Sequence, residues 1–363
     1  AVFRVSQFFI SLPDARKTVN VLHSTRNLRS TDPRDKLFAL IGVSDMSHLS
    51  KADYSKPTRD VYMDSTRRLI RKDGNLATLL TAGPWNRDNG ADIGLPSWTP
   101  DYRGMGGVDV RYLAASHLGH FNASKGRYHN HARSDSLSGR DTLVVEGVIV
   151  DTVSKTAFLG RGESRRHSVM EEFDPVRRQH PRLGANHPFK VLFETMILYN
   201  ATVYGDCFAE TTGIERENKS RLALGFIHDF NKFYRTQNLA TRTGKPTDIT
   251  SVLHGARGAE TFEQAVQEYH DLRKADPATL YWRRKEYVTR VEGATDGHLT
   301  NIFSTADGCL GRGLSSIRQG DIVAVLFGSR LPFVLRKARE SSEYQLISPC
   351  YVPGAMSGEL MER

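Results

Sequence analysis

The chain has 363 residues, of which 39% are hydrophobic and 25% are charged. This composition can form hydrophobic cores and excludes an intrinsically disordered protein, while the length favours more than one lobe. The formal net charge is +9, which could attract an acidic partner, a membrane surface or nucleic acid, but the basic residues are spread along the chain.

Two short basic clusters stand out from this spread. They are Arg161, Arg165, Arg166 and His167, and Arg283, Arg284 and Lys285. Neither cluster is interleaved with the aromatic residues that many nucleic-acid sites use for base stacking. We therefore predict that both form solvated loop or helix surfaces.

The cysteines and the apolar runs bear on the cellular compartment. Cys207, Cys309 and Cys350 show no CxxC spacing, which is typical of free thiols in a reducing compartment. The longest apolar runs have the length of strands and fall well short of the roughly 20 residues that a membrane span requires. We therefore predict a cytoplasmic protein without a membrane span.

The first part of the chain predicts short helices. Residues 36–43 form an apolar run after Asp32 and Pro33, which can cap a helix and open its first turn. A second helix is expected to begin at Pro57 and to end at Gly74, because the apolar residues between them recur near the helical period. A third short helix is expected directly afterwards.

A tryptophan between two prolines follows, within residues 95–102. The prolines enforce extended backbone, and Trp98 is expected to fill a gap between elements as a structural anchor. The polar stretch at 116–140 is then predicted to be a loop.

Strands are predicted on both sides of a helical stretch. Residues 142–153 are rich in β-branched side chains around Gly147, which predicts one long strand bent at a bulge or two tightly joined strands. Helical periodicity begins near Pro188, and from residue 301 successive apolar runs separated by turns predict an antiparallel meander. Such a meander leaves open edges, so pairing with residues 142–153 would close a small barrel.

The predicted fold class is therefore α+β, with an N-terminal helical segment and a small antiparallel β-barrel-like module interrupted by a helical insertion. The predicted boundaries are a mostly helical segment at 1–115, a loop at 116–140, a β module formed by 141–160 and 297–363, and a helical insertion at 161–296.

The predicted loop carries a group of histidines that could bind a metal ion. They are His117, His120, His129 and His131. Their spacing could supply imidazoles to zinc or nickel, but no cysteine or carboxylate set with firm spacing completes the group. We therefore expect these side chains to face solvent, and we predict no metal and no cofactor.

Local motifs of catalysis are absent from the sequence. The glycine-rich stretch 307–316 resembles part of a phosphate-binding loop, but it lacks the GxxxxGK[ST] pattern and leads into a strand, so its glycines are predicted to form turns. The paired acids Glu171 and Glu172 are predicted to lie in a charged loop. No catalytic residue is therefore predicted, although distant segments can assemble a site without a local signature.

Several blocks of the sequence form an ordered pattern. They are residues 31–43, 52–70, 95–102, 320–336 and 344–359. In this order they resemble fungal heterokaryon-incompatibility (HET) proteins. The block TDPRDK followed by an aromatic residue and ALIG is the most specific, and the block that ends in YVPGAMSGE is the second. The positions that carry the resemblance are Asp32, Pro33, Arg34, Asp35, Lys36, Pro96, Trp98, Pro100, Asp101, Gly320, Asp321, Gly328, Pro332, Arg336, Gly354 and Gly358.

The resemblance implies heterokaryon incompatibility, the fungal recognition of non-self that leads to regulated cell death. The ALSYxWG-like and IDxxCINQ-like signatures of the HET domain itself are absent. The chain therefore resembles the region downstream of that domain, and we expect a piece of a longer protein or a truncated gene copy. The implied role is recognition or regulation, with an incompatible allele product or an upstream HET domain as the protein partner.

Two other classes of function stay open. The HET domain is distantly related to TIR domains, some of which cleave NAD, so a hydrolase acting on a nucleotide such as NAD is one alternative, together with a metal-dependent hydrolase that uses the histidine-containing loop. The other is a basic nucleic-acid-binding protein, justified by net charge alone. Within the first block, Asp32, Arg34 and Asp35 are expected to be structural, because a guanidinium between carboxylates can lock a helix start to a neighbouring lobe.

Overall fold

The structure is a computed structural model of the chain. It describes residues 21–22, 25, 28–41, 51–84, 92–103, 121–130, 134, 139–173, 188–197, 213–236, 260–293, 300–338 and 342–362. The chain divides into two compact units. Unit 1 comprises Ala1–Val108, Asn122–Val150 and Asp321–Pro349, and unit 2 comprises Asp109–Phe121, Asp151–Gly320 and Cys350–Arg363. The domain boundaries expected from the sequence stay a prediction.

Short helices occupy the first part of unit 1. Helix α1 spans Asp35–Phe38, helix α2 spans Thr58–Asp73, and a 3₁₀ helix spans Ala77–Thr81. Gly74 ends α2 in the left-handed conformation, with φ of 65°, and its N–H donates to the carbonyl of Ile70. The predicted helices are confirmed, although the first is one turn long and the third is a 3₁₀ helix.

The apolar face of α2 packs into a small core in unit 1. Tyr62 is fully buried, and its ring meets that of Tyr102 edge-on at a centroid distance of 5.0 Å. The Tyr62 hydroxyl donates to the carbonyl of Pro33 at 2.7 Å, which fixes the start of α1 against α2. Leu37 and Leu69 belong to the same core. The helical periodicity seen in the sequence therefore points this face inward.

Six strands form a closed antiparallel barrel in the order β1-β2-β3-β6-β5-β4. Their bounds are Gly147–Leu159 for β1, Thr300–Thr305 for β2, Leu310–Leu314 for β3, Ile322–Leu326 for β4, Phe333–Lys337 for β5 and Tyr344–Tyr351 for β6. The α+β class is thereby confirmed, as is the prediction that a strand from before the helical stretch closes the barrel.

Strand β1 differs in detail from the expected strand at 142–153. It begins at Gly147 and runs to Leu159, with its irregularity in register between Val153 and Lys155 rather than at the glycine. Gly147 has a different role, because a Cβ there would lie 2.5 Å from the carbonyl oxygen of Val325. The glycine therefore allows β1 to approach β4 closely in unit 1.

The glycine-rich stretch predicted to form turns contains strand β3. Gly311 pairs with Phe303 of β2, and a Cβ at this position would clash with the Phe303 ring. The glycine therefore makes room for an aromatic ring on the neighbouring strand, a packing requirement that resembles a turn signal in the sequence.

Five helices lie in the described residues of unit 2. They are α3 at Glu163–Glu172, α4 at Pro188–Ile197, α5 at Gly213–Thr236, α6 at Glu260–Ala275 and α7 at Pro277–Gly293. Helices α3 and α7 lie within the predicted helical insertion at 161–296, although the sequence did not single them out. The paired acids Glu171 and Glu172 end α3 instead of lying in a loop. None of the helices in the described ranges is long and apolar enough to cross a membrane.

The aromatic residues of α4, α5 and α7 form the core of unit 2. Phe226 lies 5.5 Å from Phe193, 5.6 Å from Phe230 and 5.6 Å from Tyr287, measured between ring centroids. All four residues are fully buried. Burial of such large side chains contributes strongly to folding, so this cluster defines the helical part of unit 2.

Candidate functional site

An open cleft of about 720 Å³ lies in unit 1. Residues of β4, β5 and β6 line it, together with a turn at 96–98, residues 141–145 and the first residues of β1. Its volume falls within the range of roughly 300–1,000 Å³ that is typical of binding pockets. The cleft is therefore large enough for a drug-sized ligand or a few side chains of a partner.

Trp98 holds one side of the cleft to the other. Its indole N–H donates to the carbonyl of Asp141 at 2.8 Å, and only 7% of the residue is exposed. The guanidinium of Arg67 lies 4.7 Å from the centre of the indole ring and donates to the carbonyl of Thr142. The prediction that Trp98 is a structural anchor is confirmed.

Two further side chains fix the same segments. The Ser97 hydroxyl accepts a hydrogen bond from the backbone N–H of Leu346 at 3.0 Å, which ties residues 96–98 to β6. Arg59 donates through Nε to the carbonyl of Gly94 at 2.9 Å and forms an ion pair with Asp141 at 2.5 Å. The cleft is thus preorganised by polar contacts on its border.

Partly exposed apolar side chains lie inside this border. Ile149 is 58% exposed, Val148 is 38% exposed and Tyr344 is 41% exposed. Leu326 and Leu335 also line the cleft. An apolar centre with charged groups on its edge is the usual composition of a protein interface. The arrangement can bind an apolar segment, while Arg59, Ser97 and Asp141 hold the walls.

Sequence reasoning did not identify these apolar residues. In the sequence, Val148 and Ile149 belong to a β-branched run that is typical of a buried strand. In the structure they line the cleft together with residues 342–346, which lie almost two hundred positions further along the chain. The presence of two prolines around Trp98 was the one signal that pointed to this region.

The residues of the first family block lie elsewhere in unit 1. Arg34 donates to both carboxylate oxygens of Asp32, at 2.9 and 2.7 Å, and to the carbonyl of Lys56 at 2.9 Å. The hydrogen bond from Arg34 holds the pKa of Asp32 below its usual value. The hydroxyl of Tyr54 donates to Asp35 at 2.5 Å. These contacts lock the start of α1 to the segment before α2.

Most other family positions lie at turns or in ion pairs. Asp321, 2% exposed, forms a two-pronged ion pair with Arg336 of β5 at 2.7 and 2.9 Å. Asp101 is buried and is bound by Arg103. The four glycines among the family positions all have positive φ; they are Gly320, Gly328, Gly354 and Gly358. The remaining positions are Lys36, whose amine donates to the carbonyl of Leu28, and the prolines Pro33, Pro96, Pro100 and Pro332. Only Pro96 and Trp98 line the cleft.

The histidine group can be followed at one position. His129 is 4% exposed, which corrects the expectation that these imidazoles face solvent. It packs beside Gly328, where a Cβ would lie 3.1 Å from the His129 Cβ. His117, His120 and His131 fall outside the described residues. In the part of the chain that the structure describes, no group of three or more His, Cys, Asp or Glu residues could hold a metal ion.

The first basic cluster is part of a buried ion-pair network in unit 2, and the prediction of a solvated surface is wrong for Arg166. This residue is 2% exposed and contacts Asp229 at 3.1 Å and Glu292 at 2.7 Å. Arg284 contacts Asp229 at 2.7 Å and Glu163 at 2.5 Å. The acidic partners come from α3, α5 and α7, so local charge patterning gave no sign of them.

The same network predicts a pH dependence of stability. Burial lowers the pKa of His167 below its ordinary value of 6.5, although Asp229, 3.9 Å away, and Glu163 oppose the shift, while Arg166 and Arg284 add to it. The folded state therefore binds fewer protons at His167 than the unfolded state. The stability that depends on neutral His167 is present above pH 6.5 and is lost as pH falls through the folded pKa. We expect His167→Gln to lose less stability than the unmodified protein between about pH 7 and about pH 5 in urea titrations; equal losses would contradict this.

Comparison with known proteins gives a match to a family model and a similarity to one curated protein. Residues 261–363 match the family model of the Het-6 beta-barrel domain. The chain is also similar to "Heterokaryon incompatibility protein 6, OR allele" of Neurospora crassa, with 21% identity over 92% of this chain and 49% of that protein. The chain thus spans about half the length of the curated relative. No solved structure matches.

Proposed function

We propose that the chain is the recognition and regulatory portion of a heterokaryon-incompatibility protein. It acts in fungal non-self recognition that leads to regulated cell death. The similarity to heterokaryon incompatibility protein 6 of Neurospora crassa and the match to the Het-6 beta-barrel domain support this proposal. The cytoplasm is the proposed place of action, since cell contents mix there after hyphal fusion.

The cleft of unit 1 is the proposed recognition surface, and its exposed apolar centre is the observation that carries the proposal. Val148, Ile149 and Tyr344 are partly exposed there, while Arg59 and Asp141 are paired on its edge. Exposed apolar area inside a polar rim favours association with a protein segment. The proposed occupant is a segment of an incompatible allele product or of an upstream HET domain.

Recognition is favoured over catalysis by the contacts of Arg59 and Asp141, two charged residues that line the cleft. Arg59 bonds to Gly94 and to Asp141, so both charges stabilise the walls. Catalysis requires a group that can exchange a proton or attack a substrate. Binding requires only the preorganised apolar surface that the cleft supplies.

The substitution Ile149→Glu tests this proposal. The side chain is 58% exposed, so the free energy of unfolding is expected to change by no more than about 0.5 kcal/mol. A carboxylate in the apolar centre must desolvate when a partner binds, and we expect at least about a tenfold drop in death of fused cells. The measurement is dye uptake after fusion of strains that carry incompatible alleles of the full-length protein.

Tyr128→Glu is the matched control, since Tyr128 is 83% exposed and does not line the cleft. It is expected to leave cell death unchanged. Full killing by Ile149→Glu, with a melting temperature equal to that of the unmodified protein, would exclude the cleft as the recognition surface.

A further inference from the structure

Part of the cleft wall in unit 1 is an apolar stretch that stays partly exposed. Six of residues 141–150 are Leu, Val or Ile, yet none of the ten residues is buried. Val148 and Ile149 are neighbours on β1, so their side chains point to opposite faces of the strand, and both are exposed. Exposure on both faces is typical of a strand at an open edge rather than of one inside a covered sheet.

Hydrogen bonds hold one side of this stretch to the rest of unit 1. Every second carbonyl is bound, and these carbonyls belong to Thr142, Val144 and Glu146. Their donors, in the same order, are the Arg67 guanidinium at 3.0 Å, the Ser134 hydroxyl at 2.6 Å and the backbone N–H of Phe327 at 2.8 Å. This alternation is that of a strand, in which successive residues direct their backbone groups to opposite sides.

Leu143 and Val145 lie between these residues and direct their backbone groups to the other side. Both line the cleft and are half-buried. Within the described residues, no hydrogen bond engages the N–H or the carbonyl of either one. The stretch therefore offers two donors and two acceptors at strand spacing, next to apolar side chains. Unpaired backbone groups in such a row are a template for one more strand.

We propose that the partner binds as an extended strand that pairs with residues 143–149, a proposal that rests on the proposed role of the cleft in recognition. The partner's N–H and carbonyl groups bond to Leu143 and Val145, and its apolar side chains contact Val148 and Ile149. A helix bonds its own backbone groups and leaves this edge unsatisfied, so the edge favours an extended segment. The source is the incompatible allele product, because the proposed recognition joins two polypeptides that meet only after cell fusion.

Amide hydrogen exchange tests this pairing. The whole chain is measured alone and with the purified product of the incompatible allele. Alone, the amides of Leu143 and Val145 should exchange rapidly, because they make no hydrogen bond within the described residues. With the allele product, both should slow by at least about tenfold, whereas Val144 between them should change less. Contact through side chains alone would not produce this alternation.

The substitution Val145→Pro removes one donor of the edge. Proline has no N–H and is tolerated where the N–H of a strand is unpaired, so an unchanged melting temperature is expected. Loss of this hydrogen bond should weaken binding of the allele product by about tenfold. Val145→Thr is the matched control, since it keeps the N–H and the β-branched shape, and it should change binding by no more than about twofold.

The outcomes separate this proposal from the one on which it rests. If Ile149→Glu loses cell death while Val145→Pro binds as tightly as Val145→Thr, the cleft is the recognition surface and strand pairing is wrong. Slow exchange of Leu143 and Val145 in the chain alone, or uniform protection by the allele product, also overturns the pairing. If Ile149→Glu binds and causes cell death normally, both proposals fall. Should Val145→Pro melt at a lower temperature, exchange of the unmodified protein decides.

Discussion

Asp229→Ala is expected to lower the free energy of unfolding by about 3–5 kcal/mol, because it removes the acceptor between two guanidinium groups. The Asp229 side chain is fully buried and accepts hydrogen bonds from Nε of Arg166 at 3.1 Å and Nε of Arg284 at 2.7 Å. Without this carboxylate, Arg166 keeps only Glu292 at the edge of the network. Urea denaturation of the purified protein measures the change.

The control is Asp271→Ala on α6, which removes an exposed carboxylate and should cost no more than about 0.5 kcal/mol. The double variant Arg166→Met/Asp229→Ala should be more stable than Asp229→Ala alone, since one of the stranded charges is gone. If Asp229→Ala unfolds at the same urea concentration as Asp271→Ala, the network does not stabilise the fold.

Gly225→Ala is expected to destabilise the protein by about 3 kcal/mol, even though alanine is the better helix former. Gly225 lies on α5 where α7 crosses it, and an added Cβ would overlap the carbonyl oxygen of Arg283 and lie 2.6 Å from the Cβ of Tyr287. The obstacle is helix backbone, which cannot rotate away, so the two helices must separate and loosen the aromatic core. Thermal unfolding followed by circular dichroism measures the loss.

Thr289→Ala supplies the comparison, because Thr289 is exposed on α7 and the change places alanine, a better helix former, in a helix where no neighbour has to move. Its melting temperature should stay the same or rise slightly. A Gly225→Ala protein that melts no lower than Thr289→Ala would show that α5 and α7 do not approach as closely as described.

The barrel could be predicted from the sequence because its signals are local. Alternating and β-branched runs identify strands, and open edges require a partner, which left the run around Gly147 as the strand that closes the sheet. The end of α2 was equally clear, since Gly74 supplies the left-handed conformation that a helix end favours. These features depend on the chemistry of a few consecutive residues.

Features that depend on distant partners could not be predicted. The sequence neighbours of Arg166 indicate a surface position. Arg166 is buried because it contacts Asp229, which is 63 positions away in the chain. Gly311 is typical of a turn in the sequence, whereas the structure shows that it makes room for the ring of Phe303. The same holds for the cleft, which Ile149 lines together with residues of β6 that are distant in the chain. Trp98 was correctly expected to be an anchor, although residues 96–99 form a turn and not the extended backbone that the flanking prolines predict.

The long separation of β1 from β2 has a consequence during synthesis. Thr300 and Leu159, which pair at one end of these strands, are 141 positions apart in the chain. At a translation rate of about 5–20 residues per second, β1 leaves the ribosome roughly 7–30 s before β2 exists. During that interval its apolar residues, including Val148 and Ile149, form an unpaired strand that can template aggregation. The yield of native protein should therefore depend on chaperones that hold β1 until the barrel can close.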